Sequence, residues 1–96
     1  MISENSKVVA TKEQVSADLG GEVVILNMKN GVYYGLDPVG TRIWSLIQDP
    51  TTVKVLRDAI FNEYDVDADR CERDLLVLLQ DLASNELIEV KDEAIE

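Results

Sequence analysis

Residues 30–44 have the sequence NGVYYGLDPVGTRIW, and this stretch decides the fold. It opens on Asn30-Gly31, a dipeptide typical of a two-residue type I′ hairpin turn in which both residues have positive φ. Val32, Tyr34 and Leu36 then alternate along the chain, so they would lie on one face of a β-strand. The stretch therefore predicts a β-hairpin whose second strand begins at Val32 and ends at Leu36.

A helix is predicted to follow this strand directly. Asp37 is a residue type that caps helix N-termini, and Pro38 suits the first helical position because no N–H is needed there. From Pro38 onward the apolar residues recur every three or four positions, which predicts a helix over Pro38–Gln48. Asp49-Pro50 would end it.

The residues before this stretch predict two earlier strands, because they are rich in β-branched side chains and alternate in polarity. These strands are placed at Lys7–Val15 and Glu22–Met28, with a turn over Ser16–Gly21. Together with Val32–Leu36 they would form a three-stranded antiparallel sheet. The strand at Val32–Leu36 is expected at its edge, because no later segment is an evident partner for it.

Two more helices are predicted after Pro50, at Thr52–Tyr64 and Ala68–Ser84, and Asp67 would cap the second of them. Asn85 suits the left-handed position that often follows a helix. Residues 87–90 form a short apolar closing segment. Three strands followed by three helices is an α+β order.

The third helix carries more apolar residues than one core-facing stripe requires. Leu76 and Val77 lie outside that stripe, so the helix either has one wide internal face or offers a second face to a partner. The core stripe is predicted to consist of Cys71, Leu75, Leu78 and Leu82, and a neighbouring stripe of Asp69, Arg73, Leu76 and Gln80.

The edge strand and the third helix are predicted to form a peptide-binding groove. A free strand edge has unpaired N–H and C=O groups, so an extended peptide can add to it as a strand while its alternate side chains pack on the helix. Tyr33 and Tyr34 are large and stiff with a polar tip, which suits such a site, but cross-strand packing explains them as well. The predicted peptide-binding residues are Val32, Tyr33, Tyr34, Gly35, Leu36, Asp69, Arg73, Leu76, Val77 and Gln80.

The net charge of −10 lies entirely in the C-terminal part of the chain. Residues 1–57 contain six acids and six bases, whereas residues 58–96 contain thirteen acids and three bases. Nucleic-acid binding depends on cations that neutralise phosphates, so this distribution argues against it. The acidic surface either favours a neutral or basic partner or serves solubility alone.

The sequence lacks the residues of most catalytic and metal sites. There is no histidine and only one cysteine, Cys71, which excludes Ser-His-Asp and Cys-His catalytic sets and a structural zinc site. The alternating acids at 65, 67 and 69 lack the glycine and glutamate of a calcium loop. We therefore predict no enzymatic activity, no cofactor and no metal.

One cytoplasmic domain over residues 1–96 is expected, with an ordered core over about 7–90. The lone cysteine fits a reducing compartment. No secretory signal is expected, and the longest apolar run, Leu75–Leu79, is far too short to cross a bilayer.

Several segments, in this order, resemble the coenzyme PQQ synthesis protein D family and its relatives in lasso-peptide clusters. The resemblance covers about residues 7–90. The matching residues are Tyr34, Leu36, Gly40 and Ile43-Trp44, then Thr52-Val53, Tyr64–Asp67, Asp74-Leu75, Leu78–Leu82 and Leu87.

The resemblance implies a winged-helix-like fold and a non-catalytic adaptor, also termed a RiPP recognition element. Such proteins bind the leader of a ribosomally made precursor peptide as a strand on the third strand, packed against the third helix. The chain looks most like the free-standing lasso-peptide protein that presents the precursor to a separate cysteine protease, with a separate ATP-using cyclase closing the ring. The alternatives are a PQQ-type carrier working with a radical SAM enzyme and, from another class, a winged-helix DNA-binding regulator.

Overall fold

The computed structural model describes residues 2–65 and 67–91 and has the predicted α+β architecture. Val66, inside the Tyr64–Asp67 connection, and residues 92–96 lie outside the described residues. The strands and helices are β1 (Lys7–Ala10), β2 (Gln14–Asp18), β3 (Val23–Asn27), β4 (Tyr33–Gly35), α1 (Pro38–Leu46), β5 (Thr51–Thr52), α2 (Val53–Glu63), α3 (Ala68–Ser84) and β6 (Ile88–Lys91).

The helices begin where the sequence predicts, because their caps are local. The Asp37 carboxylate accepts a hydrogen bond from the Gly40 N–H at 2.7 Å, and Pro38 is the first residue of α1. The Thr52 hydroxyl caps α2 in the same way, and the Asp67 carboxylate caps α3. The bounds of α3 are as predicted, whereas α1 ends at Leu46, two residues before the predicted end.

The described strands form two antiparallel three-stranded sheets, so the predicted three-stranded sheet is present, a second sheet accompanies it, and the winged-helix description holds only loosely. The first sheet has the order β5-β1-β6, and the second sheet has the order β2-β3-β4. The predicted strand Lys7–Val15 is therefore broken, with its halves in different sheets. The end of β1 is held in the first sheet, where the Ala10 N–H donates to the Ile47 carbonyl at 2.8 Å and the Thr11 N–H to the Leu87 carbonyl at 3.0 Å, and β2 then pairs with β3 in the second sheet.

Two further predictions about strands need correction. The predicted turn over Ser16–Gly21 is too early, because β2 continues to Asp18 and the chain reverses over the glycines, whose φ values are 78° and 98°. The apolar closing segment is a strand, β6, in which Val90 lies opposite Val8 of β1.

The Asn-Gly signal places the hairpin turn correctly but not its type. Only Gly31, with φ of 73°, has the positive φ that a type I′ turn requires of both residues. The Gly31 N–H instead donates to the Asn27 carbonyl at 2.8 Å, and the Asn30 side-chain oxygen accepts from the Val32 N–H at 2.9 Å. The side chain of Asn30 thus stabilises a longer, four-residue loop.

The C-terminus of α3 also differs from the prediction. Asn85 has φ of −92° and stays near helical geometry, so the left-handed residue is Glu86, with φ of 60°. The Asn85 side chain donates to the Asp81 carbonyl at 2.8 Å, and its own carbonyl accepts from the buried Asn27 side chain at 2.6 Å. These bonds hold Asn85 in place and join the second sheet to the end of α3.

The core lies between the helices and the inner faces of the two sheets. It contains Trp44 and Ile47 at the end of α1, and Val8 and Ile25 from the two sheets. On α3 the buried residues are Cys71, Leu75, Leu79 and Leu82. The prediction of Leu78 in this set is wrong, because Leu78 is only half-buried on the flank of the stripe. No helix among the residues described is long and apolar enough to span a membrane.

Candidate functional site

β4 is an edge strand, as the sequence predicts: in the described part of the chain, the second sheet ends there. The Leu36 N–H donates to the Val23 carbonyl at 2.8 Å, and the Val32 carbonyl accepts from Asn27 at 3.0 Å. Because alternate residues of an antiparallel strand point their backbone groups to the same side, the N–H and C=O groups of Tyr33 and Gly35 lie on the open edge.

The two tyrosines of β4 have different surroundings. Tyr34 lies opposite Ile25 and packs against the core, whereas Tyr33 is 69% exposed on the other face of the sheet. Burial, reinforced by the nearby Asp81 carboxylate, raises the pKa of Tyr34. The proximity of Asp81 shows that β4 lies near the C-terminal half of α3.

This proximity identifies the face of α3 that borders the β4 edge. Residues four and seven positions apart share a helix face, so Asp74, Leu78 and Asp81 lie together on it. Leu78 is half-buried, and Val77, 56% exposed, lies at its outer rim. The open edge of β4 and this face of α3 are the two walls of a groove, which we call the edge groove.

At the α1 side of the edge groove, α1 and α3 enclose a cavity of about 470 Å³ with α2 at its base. The cavity has an apolar wall and a rim dominated by carboxylates. The apolar residues include Val39, Ile43, Ile60, Leu75 and Leu78, and the charged residues are Asp37, Asp65, Asp67, Arg70 and Asp74. An apolar side chain fits this cavity, and a neighbouring cation would be stabilised by the rim.

One side chain with a nucleophilic group, a thiol, lies at the cavity. Cys71 lines it, and burial, with the Asp74 carboxylate adding to it, raises the pKa of that thiol. The thiol is thus protonated at neutral pH and a poor nucleophile. Among the residues that the structure describes, no cluster of three or more acidic, cysteine or histidine side chains is arranged to hold a metal ion.

Of the predicted peptide-binding residues, the structure brings the strand residues and Val77 to the edge groove, although Leu36 is buried. Three of the predicted helix residues, Asp69, Arg73 and Gln80, are exposed. Each of them precedes by one position a residue that lines the cavity or faces β4, so it points about 100° away from that residue around the helix. Leu76 packs against the core, about 160° from Leu78. Contact of any of the predicted residues with a peptide stays a prediction.

No sequence pattern identifies the residues that the α3 wall and the cavity contribute. A core stripe can continue from Leu75 to Leu78 or from Leu75 to Leu79, and the sequence does not distinguish the two. Asp74 and Asp81 lie one position from the predicted stripe, and the proximity of Asp81 to Tyr34 identifies them. That contact spans 47 residues of sequence, so no local pattern signals it.

Three comparisons with known proteins bear on this site. The family model described as coenzyme PQQ synthesis protein D (PqqD) matches residues 22–88. A search of curated protein sequences gives no match.

Two solved structures share the fold. The structure of TbiB1 in complex with the TbiA(beta) leader peptide is 44% identical, with a TM-score of 0.78, and the match covers 84% of this chain and 94% of that one. The structure of lasso peptide synthetase B1 complexed with the leader peptide is 22% identical, with a TM-score of 0.75, covering 85% and 96%. At 22% identity the likeness concerns the fold alone. On the match over residues 22–88 and the identity to TbiB1, the chain belongs to the coenzyme PQQ synthesis protein D (PqqD) family.

Proposed function

We propose that the protein is a non-catalytic adaptor, one leader-peptide-binding domain that holds the leader of a ribosomally made precursor peptide as a strand on β4. The observation that carries this proposal is the open edge of β4 running beside α3. The identity of 44% to TbiB1, whose structure holds a leader peptide, supports it.

The backbone of the leader would pair with the outward N–H and C=O groups of Tyr33 and Gly35. Backbone pairing of this kind supplies affinity that depends little on the peptide sequence. Alternate side chains of the added strand would then point toward α3 and contact Leu78 and Val77, while the others point to the opposite face of the sheet.

Selectivity would come from the cavity at the end of the edge groove. Its apolar wall favours a leucine-sized or ring-bearing side chain of the leader, and burying such a side chain contributes about 1.5–3 kcal/mol. The carboxylates of Asp65 and Asp74 at its rim favour a lysine or arginine next to that side chain. The preferred ligand is therefore an extended peptide with an apolar anchor and a neighbouring base.

The reactions on the peptide would belong to other proteins. The chain has no histidine, and the thiol of Cys71 is protonated. We infer that the adaptor presents the leader to a separate cysteine protease of the same pathway, in the cytoplasm, where a free thiol persists. DNA binding, the rival from another class, is opposed by the thirteen acids and three bases of residues 58–96.

The test is a titration of the protein into a fluorescent synthetic leader from the precursor gene of the same cluster. Saturable one-to-one binding without any cofactor is expected, with a free energy of about −8 to −12 kcal/mol. A peptide of the same composition in scrambled order is the control and should bind at least tenfold more weakly. A leader that fails to saturate at tens of micromolar protein would contradict the proposal.

A further inference from the structure

The first sheet has an open edge of its own. In the described part of the chain this sheet ends at β6, whose strand partner is β1. The Thr11 N–H donates to the Leu87 carbonyl at 3.0 Å, so Leu87 and every second residue after it point their backbone groups to β1. The N–H and C=O groups of Ile88 and Val90 therefore lie on the far side, where another strand can pair with them. We call this side the β6 edge.

The two exposed side chains of β6 have opposite charges. Glu89 and Lys91 lie on the outer face of the first sheet, whereas the other two residues of the strand face the core. Among the residues described, no ion pair involves Glu89 or Lys91. β1 places Val9 opposite Glu89 and Lys7 opposite Lys91, so neither charge meets an unlike charge directly across that pair. An unlike charge on a strand added at the β6 edge would stabilise each of them.

The β6 strand is complementary to itself. When two copies run antiparallel about a twofold axis at Val90, the outward N–H and C=O groups of Val90 bond to those of Val90 in the second copy. Glu89 of each copy then lies opposite Lys91 of the other. These residues form the non-hydrogen-bonded type of pair, in which the side chains are closest. One strand pairing thus gives two backbone hydrogen bonds and two ion pairs around the axis.

The neighbouring registers lack this match. An axis at Glu89 places the two Glu89 carboxylates opposite each other, which is destabilising. An axis at Ile88 places Glu89 opposite the apolar Leu87, where no ion pair forms. The charges of β6 therefore select the register centred on Val90.

The net charge and the size of the contact limit the strength of this pairing. Each copy has a net charge of −10, so two copies repel each other at long range. At physiological salt the screening length is about 8 Å, which weakens that repulsion, whereas ion pairs between adjacent strands span about 4 Å and persist. Two four-residue strands form a small interface, so we expect a weak dimer with a dissociation constant on the order of 100 μM.

We propose that two copies of the chain pair through the β6 edge, in the register centred on Val90, and so join their first sheets into one continuous sheet of six strands. β4 belongs to the other sheet, so the open edge of β4 stays free in both copies. The dimer therefore has two free β4 edges. The inference concerns a surface outside the edge groove and does not depend on the proposed function.

The experiment measures the dissociation constant by analytical ultracentrifugation of the full chain at about 150 mM salt, from tens to several hundred micromolar protein. Lys91→Glu and Glu89→Lys each place like charges in both pairs across the axis and should weaken the dimer about tenfold. The double variant with both substitutions restores unlike charges in reversed order. It should recover the wild-type dissociation constant to within about threefold.

Lys54→Glu is the matched control, because it changes the net charge as Lys91→Glu does but lies exposed on α2. It should leave the dissociation constant within about twofold. Amide hydrogen exchange tests the register directly. The Val90 N–H should gain protection as the protein concentration rises, whereas the Glu89 N–H faces β1 and should be protected at every concentration. Circular dichroism checks that each variant is folded.

The outcomes separate this inference from the proposed function. A chain that stays monomeric at several hundred micromolar overturns the inference. So does a dimer that the single variants leave intact or that the double variant does not restore, because the copies then meet at another surface. A leader that dissociates the dimer would compete for the β6 edge and would overturn the inference too. A dimer with these properties that binds no leader supports the inference and contradicts the adaptor role alone.

Discussion

The two sheets have opposite roles, although each consists of three antiparallel strands. The first sheet fixes the chain to the helix ends: the Val53 N–H donates to the Ser6 carbonyl at 3.1 Å, and the Ala10 N–H to the Ile47 carbonyl at 2.8 Å. The second sheet keeps an open edge at β4. The difference indicates that one sheet provides stability, which leaves the other free to bind a leader.

The largest expected effect comes from placing the same charge in each sheet. Val8 of the first sheet is fully buried, so Val8→Asp should cost about 3–5 kcal/mol or unfold the protein. Val15→Asp in the second sheet should change the free energy of unfolding by about 0.5 kcal/mol or less, because its side chain stays in water. Urea denaturation measures the free energy of unfolding of both variants. Equal losses would contradict the view that the first sheet provides stability and the second sheet does not.

A neighbouring pair on α3 separates stability from binding. Leu79 is fully buried, and Leu79→Ala should destabilise the protein by about 2–5 kcal/mol. Leu78 lies between the core and the edge groove, so Leu78→Ala should cost about 1 kcal/mol but weaken leader binding about tenfold. Thermal melts and leader titration decide this, and a Leu78 variant with undiminished affinity would place the peptide elsewhere.

Proline substitution distinguishes the two edges of β4. Tyr34→Pro removes an N–H that faces β3, so it should lower stability by about 1–3 kcal/mol beyond the lost ring packing. Tyr33→Pro removes an N–H on the open edge and should mainly weaken leader binding. Amide hydrogen exchange gives a second measurement: β4 and α3 should gain protection with leader, and protection confined to β1 would disprove the edge groove.

The smallest expected effect concerns the thiol of Cys71. Burial raises the pKa of this thiol above its ordinary value of 9.0, so the folded state favours the neutral thiol. Stability is therefore unaffected by this group at lower pH and falls as the pH rises past 9.0 and through the raised pKa. At pH 8 we expect alkylation at least tenfold slower than for a free thiol, measured by mass spectrometry. Leader binding should slow it further, since Cys71 lines the cavity.

The sequence predicted the helices and the three-stranded sheet that carries β4, but not the sheet that contains β1, for a physical reason. Caps such as Asp37 and Asp67 act within three residues, so the starts of α1 and α3 are visible locally. The end of β1 pairs with Ile47 and Leu87, which lie far along the chain, whereas β2 pairs with β3 in the other sheet. A strand pattern alone does not show where the chain leaves one sheet for another.

The structure confirms that β4 is an edge strand near α3, but the α3 face near β4 is not the stripe that the sequence predicted. The edge position of β4 followed from the lack of any later partner strand, and the structure confirms it. The apolar stripe of α3 shows which side faces the core, but it does not show which flank lies beside β4. The proximity of Tyr34 to Asp81 identifies the flank of α3 that lies near β4. That flank contains Asp74 and Asp81, each one residue after the predicted Arg73 and Gln80.

The hydrogen bond from the buried Asn27 side chain to the Asn85 carbonyl has a kinetic consequence. With the ion pair between Lys29 and Glu86 at 2.9 Å, it joins the hairpin that carries β4 to the end of α3. The two walls of the edge groove are therefore linked before any ligand arrives, and a peptide meets a surface that is already shaped. Changes in the groove should then alter how long a leader stays bound, while the rate at which it arrives stays nearly constant.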